Sequence, residues 1–199
     1  MTAEMIVKTV LNVINLRKDV INLSSTDNDF IQIKAFLNET GVELSRRVRW
    51  DKLIKTELTI GNVDNHILPS DYQQLSLSGG IVLNKANYIP CRLITSKALW
   101  QSIKAGTSLI YYAIINDNKI EFSKTLDSDG AKFYYFSNNW IVGNKNEIIE
   151  NSDIPLIPES LLSKGAIWRW KREKGLPYTD ELAEYEALIA TESEASKGL

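Results

Sequence analysis

The sequence predicts an α+β fold in which N-terminal and C-terminal helices pack as a helical bundle around a small antiparallel β-sheet or sandwich insertion. Three observations predict it. Apolar residues recur at helical spacing up to about Arg49 and again from Pro158. Short β-rich runs separated by turn residues fill the interval between them. The parts read as residues 1–52 and 155–192 for the helices, 53–150 for the β-rich insertion, and 192–199 for a flexible tail.

The first helix spans about Thr2 to Asn15, with Ile6, Val7, Val10, Leu11, Val13 and Ile14 on a wide apolar face. Thr2 is positioned to cap it, and Glu4 suits its positive end. The polar connector LSSTDND leads to a second helix, about Asp27 to Arg49, with the stripe Phe30, Ile33, Leu37, Leu44 and Val48. Thr40 and Gly41 thin that stripe. Glycine in a helix costs about 1 kcal/mol against alanine, so close packing on a neighbour is the expected reason for it. Arg46, Arg47 and Arg49 close the helix, where cations suit its dipole.

From Leu53 the pattern changes to strand-like runs: Lys55–Ile60, Ile81–Leu83, Ile89–Ile94, Leu109–Ile115, Lys119–Phe122 and Lys132–Phe136. Turn signals lie between them at Gly61-Asn62, Leu68-Pro69-Ser70-Asp71, Gly79-Gly80, Asn116-Asp117-Asn118 and Ser128-Asp129-Gly130. One short helix, about Ser96 to Lys104, interrupts the strands. After the polar stretch NKNEIIENSDIP, two more helices follow, about Pro158–Lys174 and Thr179–Thr191. Pro158 opens the first, Gly175 closes it, and Pro177 blocks its continuation. Thr179 is a suitable cap for the second.

Composition narrows the function classes. The chain has 199 residues, 44% hydrophobic and 24% charged, enough apolar content for a folded core. A net charge of −2 gives no global attraction to nucleic acid. A single cysteine, Cys91, excludes an internal disulfide. No segment reaches the roughly 20 apolar residues of a membrane span, and the start lacks a secretory pattern, so no membrane partner is expected.

No catalytic constellation is visible, and the chain reads as a non-enzyme without metal or cofactor. His66 is the only histidine and reads as a solvated loop residue, which rules out a multi-histidine metal site within one chain. Cys91, after Pro90 in an apolar run, reads as a buried small hydrophobe. Asp127 and Asp129 lack the ligand spacing of a calcium loop and read as a turn. Two basic clusters, Arg46/Arg47/Arg49 and Lys164/Arg169/Lys171/Arg172/Lys174, suit either phosphate contacts or ion pairs between helices or subunits. Acidic residues on the last helix, including Asp180, Glu181, Glu184 and Glu186, make ion pairing natural for the second cluster. Trp168 aligns with Leu161 and Gly165 and belongs to a core. Trp170 points elsewhere and is either an interface anchor or half-buried packing. Leu182, Tyr185 and Ile189 form one stripe on the last helix.

Four stretches, in order, resemble the head-to-tail adaptor (head completion or connector) proteins of tailed bacteriophages, especially the tail tubular protein A-like adaptors of podoviruses. FLNETGVELSRRVRWDKLIKT, residues 36–56, is similar to the family's passage of helix, paired arginines and aromatic turn, through Glu43, Leu44, Arg46, Arg47, Trp50 and Leu53. LPSDYQQL, residues 68–75, resembles its LPxDF-like strand lead-in, and FYYFSNNW, residues 133–140, its late Y-x-S-N-x-W strand. The most specific is LLSKGAIWRWKREKGLPYTDELAEYE, residues 161–186. The hairpin IEFSKTLDSDGAK departs from the family by lacking a proline.

The resemblance implies a virion structural protein, made in the host cytoplasm and placed at the head–tail interface. It implies a homo-oligomeric, dodecameric ring beneath the portal protein, extending the DNA channel and offering a platform to tail or nozzle proteins. Genomic DNA would pass without sequence-specific binding. It further implies that Trp168, Arg169, Trp170, Arg172, Leu182, Tyr185 and Ile189 serve portal or inter-subunit contacts. The stripe Leu182, Tyr185 and Ile189 would bury against a partner subunit, and Arg46, Arg47 and Arg49 would line the channel or form ion pairs between subunits. The competing expectation is a nucleic-acid-binding module that uses the two basic clusters.

Overall fold

The computed structural model describes residues 1–76, 80–83, 89–106 and 110–195. The fold is α+β, with five α-helices and eight strands among the described residues. The chain divides into two compact units, Met1–Leu53 with Asn138–Leu199, and Ile54–Ser137. The Gly79 half of the Gly79-Gly80 turn, the Leu109 start of one expected strand and residues 196–199 of the expected tail lie outside the described residues.

The first unit holds α1 (Ala3–Val13), α2 (Asn28–Arg47), a 3-10 turn (Asp51–Leu53), α4 (Glu159–Glu173) and α5 (Thr179–Ala195). Helix α4 touches α1, α2 and α5, and buries Leu161, Leu162, Ala166, Ile167, Trp168 and Trp170. A helix surrounded on several sides carries apolar residues around most of its circumference, so no single stripe identifies its core face.

Caps differ from the expected ones. Asp27 does cap α2, accepting a hydrogen bond from the Asp29 amide at 2.9 Å. Thr2 makes no side-chain cap; instead the Ala3 and Glu4 amides donate to the carbonyls of Asp153 (2.7 Å) and Asn151 (3.1 Å). Thr179 is the first residue of α5, not its cap. The helix continues to Ala195, so residues 192–195 of the expected flexible tail are helical.

The stretch from Asn138 to Pro155 belongs to the helical unit, which moves the expected boundary at residue 150 back to 138. Polar side chains fasten it there. Asn38 on α2 donates to the Ile148 carbonyl (3.1 Å) and accepts from its amide (2.6 Å). Asn151 accepts from the Leu23 amide (2.9 Å) and donates to the Ile21 carbonyl (2.7 Å). Asp153 accepts from the amides of Ile149 and Glu150 and from Lys145. Trp140 is fully buried, and its indole N–H donates to the Asn146 carbonyl at 2.7 Å. Backbone polar groups buried in this way must be paired, and here side chains do the pairing.

The second unit holds β1 (Ile54–Leu58), β2 (Asn65–Ile67), β3 (Tyr72–Leu75), β4 (Ile81–Leu83), β5 (Pro90–Ile94), α3 (Lys97–Ala105), β6 (Tyr112–Asn116), β7 (Lys119–Phe122) and β8 (Ala131–Ser137). The sheet order is β1-β8-β4-β5-β6-β7-β2, with β3 also on β8. The sheet is mixed, which corrects the antiparallel expectation: β5 pairs with β6 in parallel, Leu93 opposite Ala113. Their crossover contains α3, as a parallel connection usually does. Strand β5 pairs through Pro90 and Cys91 with β4 and through Arg92–Ile94 with β6, joining the two halves of a curled sheet.

Strand β8 is the hub. It pairs with β1 along one edge, Lys55 opposite Tyr135, and with β3 and β4 along the other. Its apolar residues Ala131, Phe133 and Tyr135 enter a core shared with Ile81, Ile120 and Phe122. Rings of His66, Phe133, Tyr135 and Tyr72 follow one another at centroid distances of 5.8, 5.9 and 5.8 Å. His66 therefore sits on β2 with its side chain only 17% exposed, not in a solvated loop as expected. Strand β2 is not among the expected runs, and β3 falls in LPSDYQQL, which only the resemblance marks as a strand lead-in.

Candidate interaction site

The residues singled out near the end of the chain converge on one place in the helical unit. Helices α2 and α4 cross where Gly165 meets Thr40. A Cβ on Gly165 would lie 2.2 Å from Thr40 Cγ2, so only glycine admits this approach. One turn further along both helices, Arg169 meets Glu43.

Arg169 is 3% exposed. Its guanidinium donates to Glu43, donates to the Gly165 carbonyl at 3.1 Å, and lies 3.3 Å from the Glu39 carboxylate through Nε. It stacks 4.3 Å from the Trp168 ring and 6.0 Å from that of Tyr185. Glu43 also accepts from Arg47 at 2.6 Å, and Arg47 donates two bonds to Glu186 on α5, at 2.8 and 2.5 Å. The guanidinium fork matches the carboxylate geometry, which favours the doubly bonded Arg47–Glu186 pair. The Arg47 hydrogen bonds hold the Glu186 carboxyl below its ordinary pKa, and Glu186 in turn raises that of Arg47. One chain of alternating charges thus links α2, α4 and α5.

Helix α5 runs antiparallel to α4, since Lys164 pairs with Glu184 and Lys171 with Glu181. Tyr185 and Ile189 are its two buried residues, and Leu182 is half-buried. Burial pushes the Tyr185 hydroxyl well above its usual pKa. Between the helices the chain turns at Gly175, whose φ of +67° suits glycine.

These positions revise the expected interface. Trp168, Arg169, Trp170, Tyr185 and Ile189 are all buried within their own chain. The stripe expected to bury against a partner subunit instead contributes Tyr185 and Ile189 to the interior of this unit. Trp170, a candidate anchor because it lies off the Trp168 face, is 6% exposed. The physical reason is that α4 is surrounded, so both tryptophan faces find neighbours. Arg172 remains exposed, stacked 4.9 Å from Trp168, and Lys174 lies 4.5 Å from the Trp170 ring. Arg47 is in ion pairs, while Arg46 and Arg49 are exposed. Arg46 and Arg49 lie at the C-terminal end of α2 and just past it, and Arg172 and Lys174 at the C-terminal end of α4.

The sheet unit holds a second polar cluster that the sequence reading did not find. Asp71 accepts from Lys55 Nζ (2.5 Å), Ser137 Oγ (2.6 Å) and Tyr135 OH (3.0 Å). Burial pushes its pKa up, but the three hydrogen bonds outweigh burial and hold it below the usual value. The cluster ties β1 and β8 to the turn before β3. The signal was present as an aspartate in Leu68-Pro69-Ser70-Asp71, although turn chemistry alone explained it. Cys91 is buried, and burial pushes its thiol pKa up to about 12, so it is unreactive at neutral pH.

Among the described residues, no three His, Cys, Asp or Glu side chains are grouped to hold a metal ion. No helix among them is long and apolar enough to cross a membrane. No protein-family model matches this chain, and no curated protein matches its sequence.

Proposed function

We propose that this protein is a head-to-tail adaptor of a tailed bacteriophage. In this reading it is a non-enzymatic virion component that forms a homo-oligomeric ring, dodecameric by analogy, beneath the portal. The ring extends the DNA channel and receives tail or nozzle proteins, while genomic DNA passes without sequence-specific binding. The observation that carries the reading is the stretch LLSKGAIWRWKREKGLPYTDELAEYE, residues 161–186, with its resemblance to the adaptor signature. Its residues are used densely: Gly165 lets two helices cross, Arg169 centres a charge network, Gly175 makes the turn, and Glu186 latches the last helix. On this proposal the helices act as a bundle that carries the docking surface, and the sheet acts as a sandwich-like platform.

Since the stripe Leu182, Tyr185 and Ile189 is largely turned inward, we assign portal contact to the outer face of α5, where Ala183, Ala187 and Ala190 are exposed, and to Arg172. Small residues at spacing i, i+4, i+7 allow another helix to approach closely. The test is negative-stain electron microscopy of the protein mixed with its cognate portal, beside each alone. An added layer on the portal ring supports the reading; a bare portal ring overturns it.

A nucleic-acid-binding module is the alternative, favoured by the exposed cations Arg46 and Arg49 at the end of α2 and Arg172 and Lys174 at the end of α4. It predicts DNA affinity that falls steeply as salt rises and that Arg46→Glu with Arg49→Glu abolishes.

A further inference from the structure

The edge of the sheet unit is a single bent segment of chain. Residues 54–67 run antiparallel to 119–137, with β1 on β8 and β2 on β7. Between the two ladders, the amides of Thr59, Leu126 and Phe122 donate to the carbonyls of Ala131, Val63 and Asp64. Strands β1 and β2 are the two ends of the sheet order, so neither has a ladder partner on its second side among the described residues. Leu58, Ile60 and Ile67 are 54, 74 and 69% exposed along this edge. An unpaired edge is open to pairing with another chain, and a sharp twist or bend is one of the features that blunts it.

The bend is sharp. Nine residues of extended chain cover about 30 Å. Yet Glu57 Oε1 on β1 and His66 Nε2 on β2 lie 3.7 Å apart. Glu57 stands opposite Phe133 and His66 opposite Ile120, both fully buried core residues, so the pair closes across the inner side of the bend. At the corner, a Cβ on Gly61 would lie 2.1 Å from the Ser128 carbonyl oxygen, so the chain can pass there only as glycine.

Few charges surround His66. On β8 its neighbour is the Phe133 ring, edge-on at 5.8 Å. On β7 it faces Ile120, while Lys119 and Glu121 on either side pair with each other at 3.2 Å. Asp64, two residues before it, is exposed and accepts from the Asn65 side-chain amide. Further along β1, Lys55 is held by Asp71. The His66 side chain is only 17% exposed, so a proton placed on it depends on the Glu57 carboxylate for its counter-charge.

We propose that Glu57 and His66 form a proton-operated clasp, which holds the edge strand bent when the imidazole is charged and lets it loosen when the imidazole is neutral. Imidazoles titrate between about pH 5 and 8, where carboxylates of ordinary acidity are ionised. The contact is an ion pair only while the imidazole carries its proton. Its contribution is therefore present at the acid end of that range and is lost as pH rises. The sign is opposite to that of Asp71 and Glu186, whose contributions are lost on acidification.

The test is amide hydrogen exchange of the full-length protein at pH 5.5 and 7.5, corrected for intrinsic exchange. His66 is the only histidine, and the α-amino group, whose class also titrates in this range, belongs to the helical unit. Protection of residues 54–67 should be about two- to fivefold higher at pH 5.5, the range of a partly exposed ion pair, while that of α4 stays level. Glu57→Gln keeps the shape and removes the charge. It should abolish the gain, with a circular dichroism spectrum unchanged at pH 7.5. His66→Phe, which keeps a ring against Phe133 but cannot titrate, should give equal protection at both pH values. Equal protection in the wild type, or a gain that survives Glu57→Gln, overturns the clasp.

Discussion

The indole of Trp140 occupies the space that a side chain on Gly41 would need. A Cβ there would lie 2.2 Å from Trp140 Cζ2, and the ring belongs to a fully buried tryptophan in the core of the helical unit. The glycine that thins the apolar stripe of α2 is thus a seat for an aromatic ring. Alanine at this site gains about 1 kcal/mol of helix propensity but overpacks the core, at a cost of about 1–3 kcal/mol. Gly41→Ala should therefore be destabilising on balance, as read by the urea midpoint at constant m-value. An unchanged midpoint would mean that the indole moves freely, contrary to its buried setting.

Gly165→Ala should also destabilise, by about 1–3 kcal/mol, because the new methyl meets Thr40. Here a compensating change exists. Thr40→Ala removes the nearest atoms, so the double variant should recover part of the loss. A double-mutant cycle should show favourable coupling of about 1 kcal/mol; strict additivity would place the two residues out of contact.

Arg169→Ala removes a buried cation from between Glu39 and Glu43 and leaves carboxylates with fewer partners. Breaking a buried pair from one side costs about 3–5 kcal/mol, and the 25% exposure of Glu43 places the expected loss near the lower figure. Arg169→Lys should recover only part of it, since an ammonium cannot match the fork of bonds. Thermal unfolding of both variants is the measurement. Full recovery by lysine would argue that charge alone matters at this position.

Asp71→Ala should loosen the sheet unit by about 2–3 kcal/mol, because Lys55, Ser137 and Tyr135 lose a common acceptor. Its pH signature has a definite sign. The folded pKa lies below the unfolded value, so the contribution is present above about pH 4 and is lost as pH falls through the folded pKa. Acid titration of stability should therefore be shallower in Asp71→Asn than in the wild type. Parallel curves would remove Asp71 from the acid response.

Helix α5 is held by Lys164–Glu184, Lys171–Glu181 and Arg47–Glu186 around a narrow apolar strip. Partly exposed pairs contribute less than about 1 kcal/mol each and weaken in salt. Amide exchange should accelerate in α5 more than in α4 between low and high ionic strength. Hydrogen bonds from Lys171 and Arg47 hold Glu181 and Glu186 below their ordinary pKa, so acid should loosen the same helix as pH falls below about 4.5. Equal protection of α4 and α5 in every buffer would show that Tyr185 and Ile189 hold the helix alone.

Much of the fold was legible because its signals are local. Asp27, Ser96, Pro158 and Gly175 mark helix ends in the sequence and stand at those ends in the structure. Strand β2 escaped notice because Asn-His-Ile is too short and polar to show alternation. The parallel β5–β6 pairing could have been inferred, since a helix between two strand-like runs is the usual crossover. The burial of Trp170 within its own chain was illegible for a different reason. Helical spacing separates faces, but it does not say how many of them are covered. The Asp71 cluster gathers residues far apart in sequence, Lys55, Asp71 and Ser137, and no periodicity connects them.

The order in which the polypeptide leaves the ribosome acquires a consequence from the discontinuous helical unit. Residues 54–137 are contiguous and can complete their sheet as soon as β8 has emerged. Helices α1 and α2 are made first, yet their apolar stripes have no α4 to cover them for more than a hundred residues. Those stripes must be shielded during synthesis, by transient collapse or by a chaperone. The groove along α4 between α1 and α5 therefore cannot exist on a nascent chain, and it belongs to finished molecules alone.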